Sequence, residues 1–222
     1  MQYGDLLHVP DSRSGTKMVH TFSLSNILYI PEEDRDKFYT YSYVMSKVSS
    51  YSVPITPSFM SFDFSRNEVL LGTFYQCSSY HQDTSACLAN ANNKLMWYSV
   101  GNVSSSSSYC EPFFSEMQGA ASATSLDGTS SILWTSSSYG SSHVSHLHIT
   151  NLGSNFSCSK STSFANPGFR EITYPSGLED LHVADPKSKF ANHLWMHTEF
   201  GSGDGSGNIR TVFATPIKSL MP

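Results

Sequence analysis

Short runs of bulky apolar residues, each turning small and polar toward its end, recur along this chain at long and nearly even intervals. They start at Leu7, Val69, Leu133 and Leu194, spacings of 62, 64 and 61 residues. A strand that leaves a packed layer for an exposed rim has this pattern. Shortly before three of these runs lies another apolar stretch, over 58–63, 118–123 and 177–182. Turn formers stand between them, namely Ser65-Arg66-Asn67, Asp127-Gly128 and Asp185-Pro186, so each pair reads as a hairpin. Third strands, alternating apolar with polar as half-buried strands do, are predicted over 17–22, 94–98, 145–149 and 210–214. Fourth strands fit 39–44 and 110–114, where polarity and a proline suit an outer edge.

Four antiparallel strands recurring at one period describe a blade of a β-propeller. The period exceeds the roughly 40–50 residues of compact propeller repeats, so insertions are expected, with 77–93 and the serine-rich 104–108 the evident ones. The predicted fold class is all-β: one β-propeller domain over 1–222, with repeats near 1–50, 51–115, 116–172 and 173–222. A two-sheet sandwich or a meandering barrel is the competing architecture. The first repeat lacks an evident first strand, the last lacks a fourth after Pro216, and Gly4-Asp5 reads as the tail of a hairpin. The chain is therefore expected to be part of a larger propeller, whose open edges invite a second chain to complete it.

Charge narrows the partners. With 13 basic and 18 acidic residues the net charge is −5, and no basic run suits a phosphate backbone, which argues against nucleic acid. No apolar stretch is long enough to span a membrane as a helix. Residues 1–5 lack the basic start and apolar run of a signal peptide, so either a signal has been removed or the chain begins within a longer protein. The four cysteines, Cys77, Cys87, Cys110 and Cys158, have no zinc-ligand spacing and point to two disulfides among three pairings. Cys77 with Cys87 would close a polar loop on one hairpin and leave Cys110 with Cys158. Asn102 and Asn155 both open an N-glycosylation acceptor pattern. Cysteines and sequons together favour a secreted, extracellular glycoprotein.

Several segments together resemble a family of secreted propeller proteins of actinobacteria and filamentous fungi. They are 4–12, 57–59, 70–75, 117–119, 137–140 and 174–181, followed by Leu194-Trp195. The resemblance spans most of the chain and rests on structural motifs. It implies a secreted propeller with further blade sequence upstream, and it implies no particular activity.

Propeller first strands line a central channel, so the polar residues that open them are the usual ligand-facing groups. Ser58, Gln118, Glu179 and Asp180 hold those places. Oxygen donors converging on the axis could hold Ca2+, with Glu179 and Gln118 as its ligands, because both lie 15 residues before Leu194 and Leu133 respectively. Strand alternation would turn Glu179 to the channel and Asp180 away from it. His146 with His148, and His193 with His197, fall in phase on their strands, but two imidazoles per face are too few for zinc, and packed or surface histidines are the expectation. Ser157-Cys158-Ser159-Lys160 and the glycine-rich 201–207 read as loops rather than as a nucleophile motif or a phosphate cradle. Two functions follow. One is a binding module that takes a small molecule or a glycan at the channel mouth or loops, with Tyr75, Tyr80, Tyr139 and Trp195 as candidate stacking residues. The other is a metal-assisted, lactonase-like hydrolase using the channel carboxylates, an assignment by fold analogy alone.

Overall fold

The computed structural model describes residues 2–3, 5–11, 13, 15–29, 31, 43–73, 95–99, 102–110, 117–125, 130–139, 144–152, 169–174, 177–200 and 209–220. Among them the protein is all-β, with four antiparallel sheets whose strands follow one another in chain order. Sheet I contains β1 (Gln2–Tyr3), β2 (Leu6–Pro10), β3 (Met18–Tyr29) and β4 (Tyr43–Ser52). Sheet II contains β5 (Phe59–Asp63), β6 (Glu68–Gly72), β7 (Leu95–Ser99) and β8 (Asn102–Cys110). Sheet III contains β9 (Met117–Thr124), β10 (Ser131–Tyr139), β11 (Val144–Asn151) and β12 (Phe169–Tyr174). Sheet IV has β13 (Gly177–Val183), β14 (His193–Phe200) and β15 (Ile209–Pro216), followed by a 3-10 turn, Ile217–Leu220.

The hairpins β5–β6, β9–β10 and β13–β14 form where apolar runs flank turn residues. Asn67 takes a left-handed φ of 54° in the first of these turns, a conformation asparagine tolerates better than most residues. The Asp127-Gly128 turn lies outside the described residues.

Three expectations are corrected. A first strand does precede β2: β1 is two residues long, with Tyr3 opposite Leu6. The serine-rich 104–108 is not an insertion but part of β8, with Ser106 and Ser108 opposite Tyr98 and Trp97, because an outer strand needs backbone pairing rather than apolar side chains. The described fourth strand of sheet I is Tyr43–Ser52, reaching well past the predicted 39–44, of which 39–42 lie outside the described residues; β3 continues to Tyr29 and keeps its partner extended beside it.

The sheets stack face to face through their early strands: β2 meets β5, β5 meets β9, and β9 meets β13. Strand alternation then divides each sequence between two cores. In β6, Val69 and Leu71 enter the core between sheets I and II, while Leu70 enters the one between II and III. In β10, Leu133 faces sheet II, and Ile132 and Trp134 face sheet IV. Every residue of β5 and β6 is buried, as are the first four of β7. This departs from the half-buried alternation predicted for the third strands, because a sheet covered on both faces reads as a continuous apolar run. Fully burying each such Leu, Val or Met contributes roughly 1.5–3 kcal/mol.

Polar groups inside the stack are tied together. Trp97 Nε1–H donates to Ser122 Oγ at 2.9 Å, and Ser122 Oγ–H donates to Asp63 Oδ2 at 2.6 Å. The Ser65 and Arg66 amides and the Ser65 hydroxyl donate to Asp63 Oδ1. Asp63 thus links sheet II to sheet III from a fully buried position.

Candidate functional site

Because the inner faces are filled, polar and aromatic side chains gather on the outer ones. On sheet IV, Leu178, Leu181, Val183, Leu194 and Met196 point into the core shared with sheet III. The intervening residues face the other way, where Asp180 stands opposite His197 and His182 opposite Trp195.

A register shift sets this arrangement. Leu178 pairs with Thr198 and Asp180 with His197, leaving Glu179 as the extra residue. The same irregularity occurs in β9, where Met117 pairs with Ser137 and Gly119 with Ser136, leaving Gln118 over. Packing shows the effect: Met117 and Ala120, three apart, reach one core, as do Leu178 and Leu181, which unbroken alternation forbids. The expectation that alternation alone divides Glu179 from Asp180 is therefore replaced by a bulge. Gln118 and Glu179 nonetheless hold equivalent places, each the bulged residue of its strand. Ser58, half-buried just ahead of β5, donates its amide to the Gly72 carbonyl at 2.8 Å. β9 and β13 touch at this level, for a Cβ on Gly119 would lie 2.8 Å from Asp180 Cα.

Beside Asp180 a small hollow of about 140 Å³ is lined by His182, Trp195, His197 and Val212. His182 and Trp195 also line a larger cleft of about 690 Å³ that opens between sheet IV and the β5–β6 hairpin. Its walls include Phe64, Asn67, Lys187 and Phe190. Phe190 meets Trp195 edge to face at 5.2 Å, Phe64 meets His182 at 6.0 Å, and Lys189 Nζ lies 4.9 Å from the centre of the Phe190 ring. The cleft is thus an aromatic surface with an amide and an ammonium at its rim.

Asp180 is exposed to solvent on one side, and the other side chains lining the hollow wall it in. Desolvation by those walls pushes its carboxyl up to about 6, and the Glu179 charge adds to the rise. The Leu181 amide, 2.9 Å away, and His197 oppose it. Burial holds His182 below the ordinary imidazole range. Groups perturbed by desolvation inside a cleft mark a candidate site.

The other predicted residues fall elsewhere. His148 is buried, with its Nε2 2.9 Å from Ser137 Oγ and its ring stacked on His146 at 5.9 Å. His193 Nδ1 lies 3.0 Å from the Ala191 carbonyl. Among the described residues, no three His, Cys, Asp or Glu side chains converge as a metal site, and no helix is long and apolar enough to cross a membrane. Cys110 ends β8 opposite Leu95, and Asn102 begins the same strand. Cys77, Cys87, Cys158, Asn155, Tyr75, Tyr80, the 157–160 segment and the 201–207 loop lie outside the described residues. Tyr139 ends β10. Phe64, Asn67 and Phe190 escaped the sequence reading, because only the fold brings the 64–67 turn to the face of β13 and β14. No protein-family model and no curated protein matches the chain.

Proposed function

We propose that the four sheets are blades of a β-propeller in a secreted, disulfide-bonded glycoprotein of the actinobacterial and fungal type, and that its role is to bind a glycan in the cleft around Trp195. The propeller reading is supported by sequential meanders, three of four strands and one of three, packed face to face through their early strands. The binding reading rests on one observation. Of the three tryptophans, Trp97 and Trp134 are buried in cores, whereas Trp195 is only partly covered and opens on a cleft edged by Asn67 and Lys187. A sugar ring offers an apolar face to an aromatic ring and hydroxyls to the polar groups at its edge. Gln118 and Glu179, re-aimed by equivalent bulges, and Ser58 supply oxygen donors for a second, axial ligand such as Ca2+.

Calorimetric titration of the purified protein with a panel of neutral and acidic oligosaccharides tests the binding reading. Trp195→Ala should weaken binding by about 2 kcal/mol, roughly 30-fold, as loss of an aromatic anchor does. Equal affinity of wild type and variant for a bound oligosaccharide, or no binding across the panel, would remove the cleft from the account.

A further inference from the structure

The opposite outer face of the stack carries different chemistry. In sheet I, Val19 is buried against sheet II, so the alternate residues His20 on β3 and its cross-strand partner Ser50 on β4 face away from the stack. The Ser50 hydroxyl lies 2.8 Å from His20 Nδ1, and His20 Nε2 lies 3.2 Å from Asp11 Oδ2 at the end of β2. The Arg13 guanidinium grips both Asp11 oxygens through Nε, at 2.8 and 3.1 Å, and keeps this carboxyl well below the usual carboxylate range. The imidazole is therefore held between a fixed anion and a serine hydroxyl, the arrangement that activates a serine nucleophile. His20 keeps 22% of its side-chain surface open. Leu7 and Phe22, a cross-strand pair, and Val9, opposite His20, lie on the same face and give it an apolar floor next to the triad.

We propose that Asp11, His20 and Ser50 form a nucleophilic triad that hydrolyses small carboxylic esters with an apolar acyl group. His20 Nδ1 takes the Ser50 proton as Oγ attacks the ester carbonyl carbon. The carbon–oxygen bond to the alcohol then breaks, and the departing oxygen receives that proton from His20. Water, deprotonated by His20, attacks the acyl-Ser50 ester, releases the carboxylic acid and returns the proton to Ser50. The site is separate from the Trp195 cleft, so either assignment can fail alone.

The test uses the whole chain with two probes, p-nitrophenyl acetate and a fluorophosphonate. The wild type should release nitrophenolate faster than buffer, and the phosphonyl adduct should map by mass spectrometry to Ser50. Ser50→Ala and His20→Gln should each lower the rate by about 100-fold or to background. Both are exterior substitutions, and circular dichroism checks that each variant is folded. Ser49→Ala, next to the nucleophile but turned to the other face, should keep the wild-type rate. An adduct on another serine, no adduct, or a folded Ser50→Ala protein hydrolysing at the wild-type rate would overturn the proposal.

Discussion

Replacing Asp63 by alanine should cost about 3 kcal/mol of folding stability. The carboxylate accepts from the Ser65 amide at 3.1 Å, the Arg66 amide at 3.2 Å, the Ser65 hydroxyl, and the Ser122 hydroxyl of the next sheet at 2.6 Å. Alanine removes all four acceptor contacts. The Ser122 hydroxyl, which also accepts from Trp97, would then sit buried without its acceptor. Each buried donor left unpaired costs about 1–3 kcal/mol. Against this stands the cost of burying the charge, which raises the Asp63 pKa despite its four donors, so the net loss falls well below the sum. It is still a large share of a domain stability of about 5–15 kcal/mol. Asp63→Asn keeps an acceptor for the turn amides and should cost less, about 1–2 kcal/mol. Because the contact crosses sheets, Asp63→Ala and Ser122→Ala should couple by about 1 kcal/mol or more in a double-mutant cycle. Urea denaturation followed by far-ultraviolet circular dichroism reads all five proteins, the double variant included. An Asp63→Ala variant within about 0.5 kcal/mol of wild type, the range of ordinary surface changes, or strictly additive variants, would refute this reasoning.

Gly119→Ala should lower the melting temperature markedly, because its Cβ would sit 2.8 Å from the backbone Asp180 Cα and Leu181 N, which cannot rotate aside; an unchanged thermal scan would contradict the close approach of β9 and β13. The Asp180 carboxyl is raised from 3.8 to about 6, so the folded state binds its proton more tightly than the unfolded chain does. The stability it contributes is present below the unfolded pKa and is lost as pH rises through the folded one. Urea midpoints measured between about pH 4 and 6 should fall with pH more steeply in wild type than in Asp180→Asn, and parallel slopes would contradict this. Non-reducing peptide mapping should show Cys77–Cys87 and Cys110–Cys158, and a peptide joining Cys87 to Cys110 would sink that pairing.

The hairpins were legible because turn residues and apolar runs are local signals. The 65–67 turn, the 58–63 run and the 194–199 run each announce themselves within a few residues. The outer strands were not, since Ser106 and Ser108 pair by backbone and carry no apolar signature, and the extension of β3 to Tyr29 depends on β4 lying beside it. At the site, the equivalence of Gln118 and Glu179 was visible as a shared count from the following strand. Their bulges were not, because a bulge is a mismatch between two strands rather than a property of either. Trp195 was recognised as a candidate, while its neighbours Phe64 and Asn67 come from more than a hundred residues away in sequence. Asp11, His20 and Ser50 are likewise joined by strand register, and no spacing rule connects them.

The binding account depends most on Trp195 being the tryptophan that meets ligand. A two-dimensional 15N–1H spectrum resolves one indole N–H signal for each of Trp97, Trp134 and Trp195, assigned by single Trp→Phe variants. Titrating an oligosaccharide that binds in calorimetry should shift the Trp195 signal progressively and leave those of Trp97 and Trp134, buried at 1% exposure each, in place. Saturable binding that moves Trp97 or Trp134 while Trp195 stays still would contradict the assignment of the cleft.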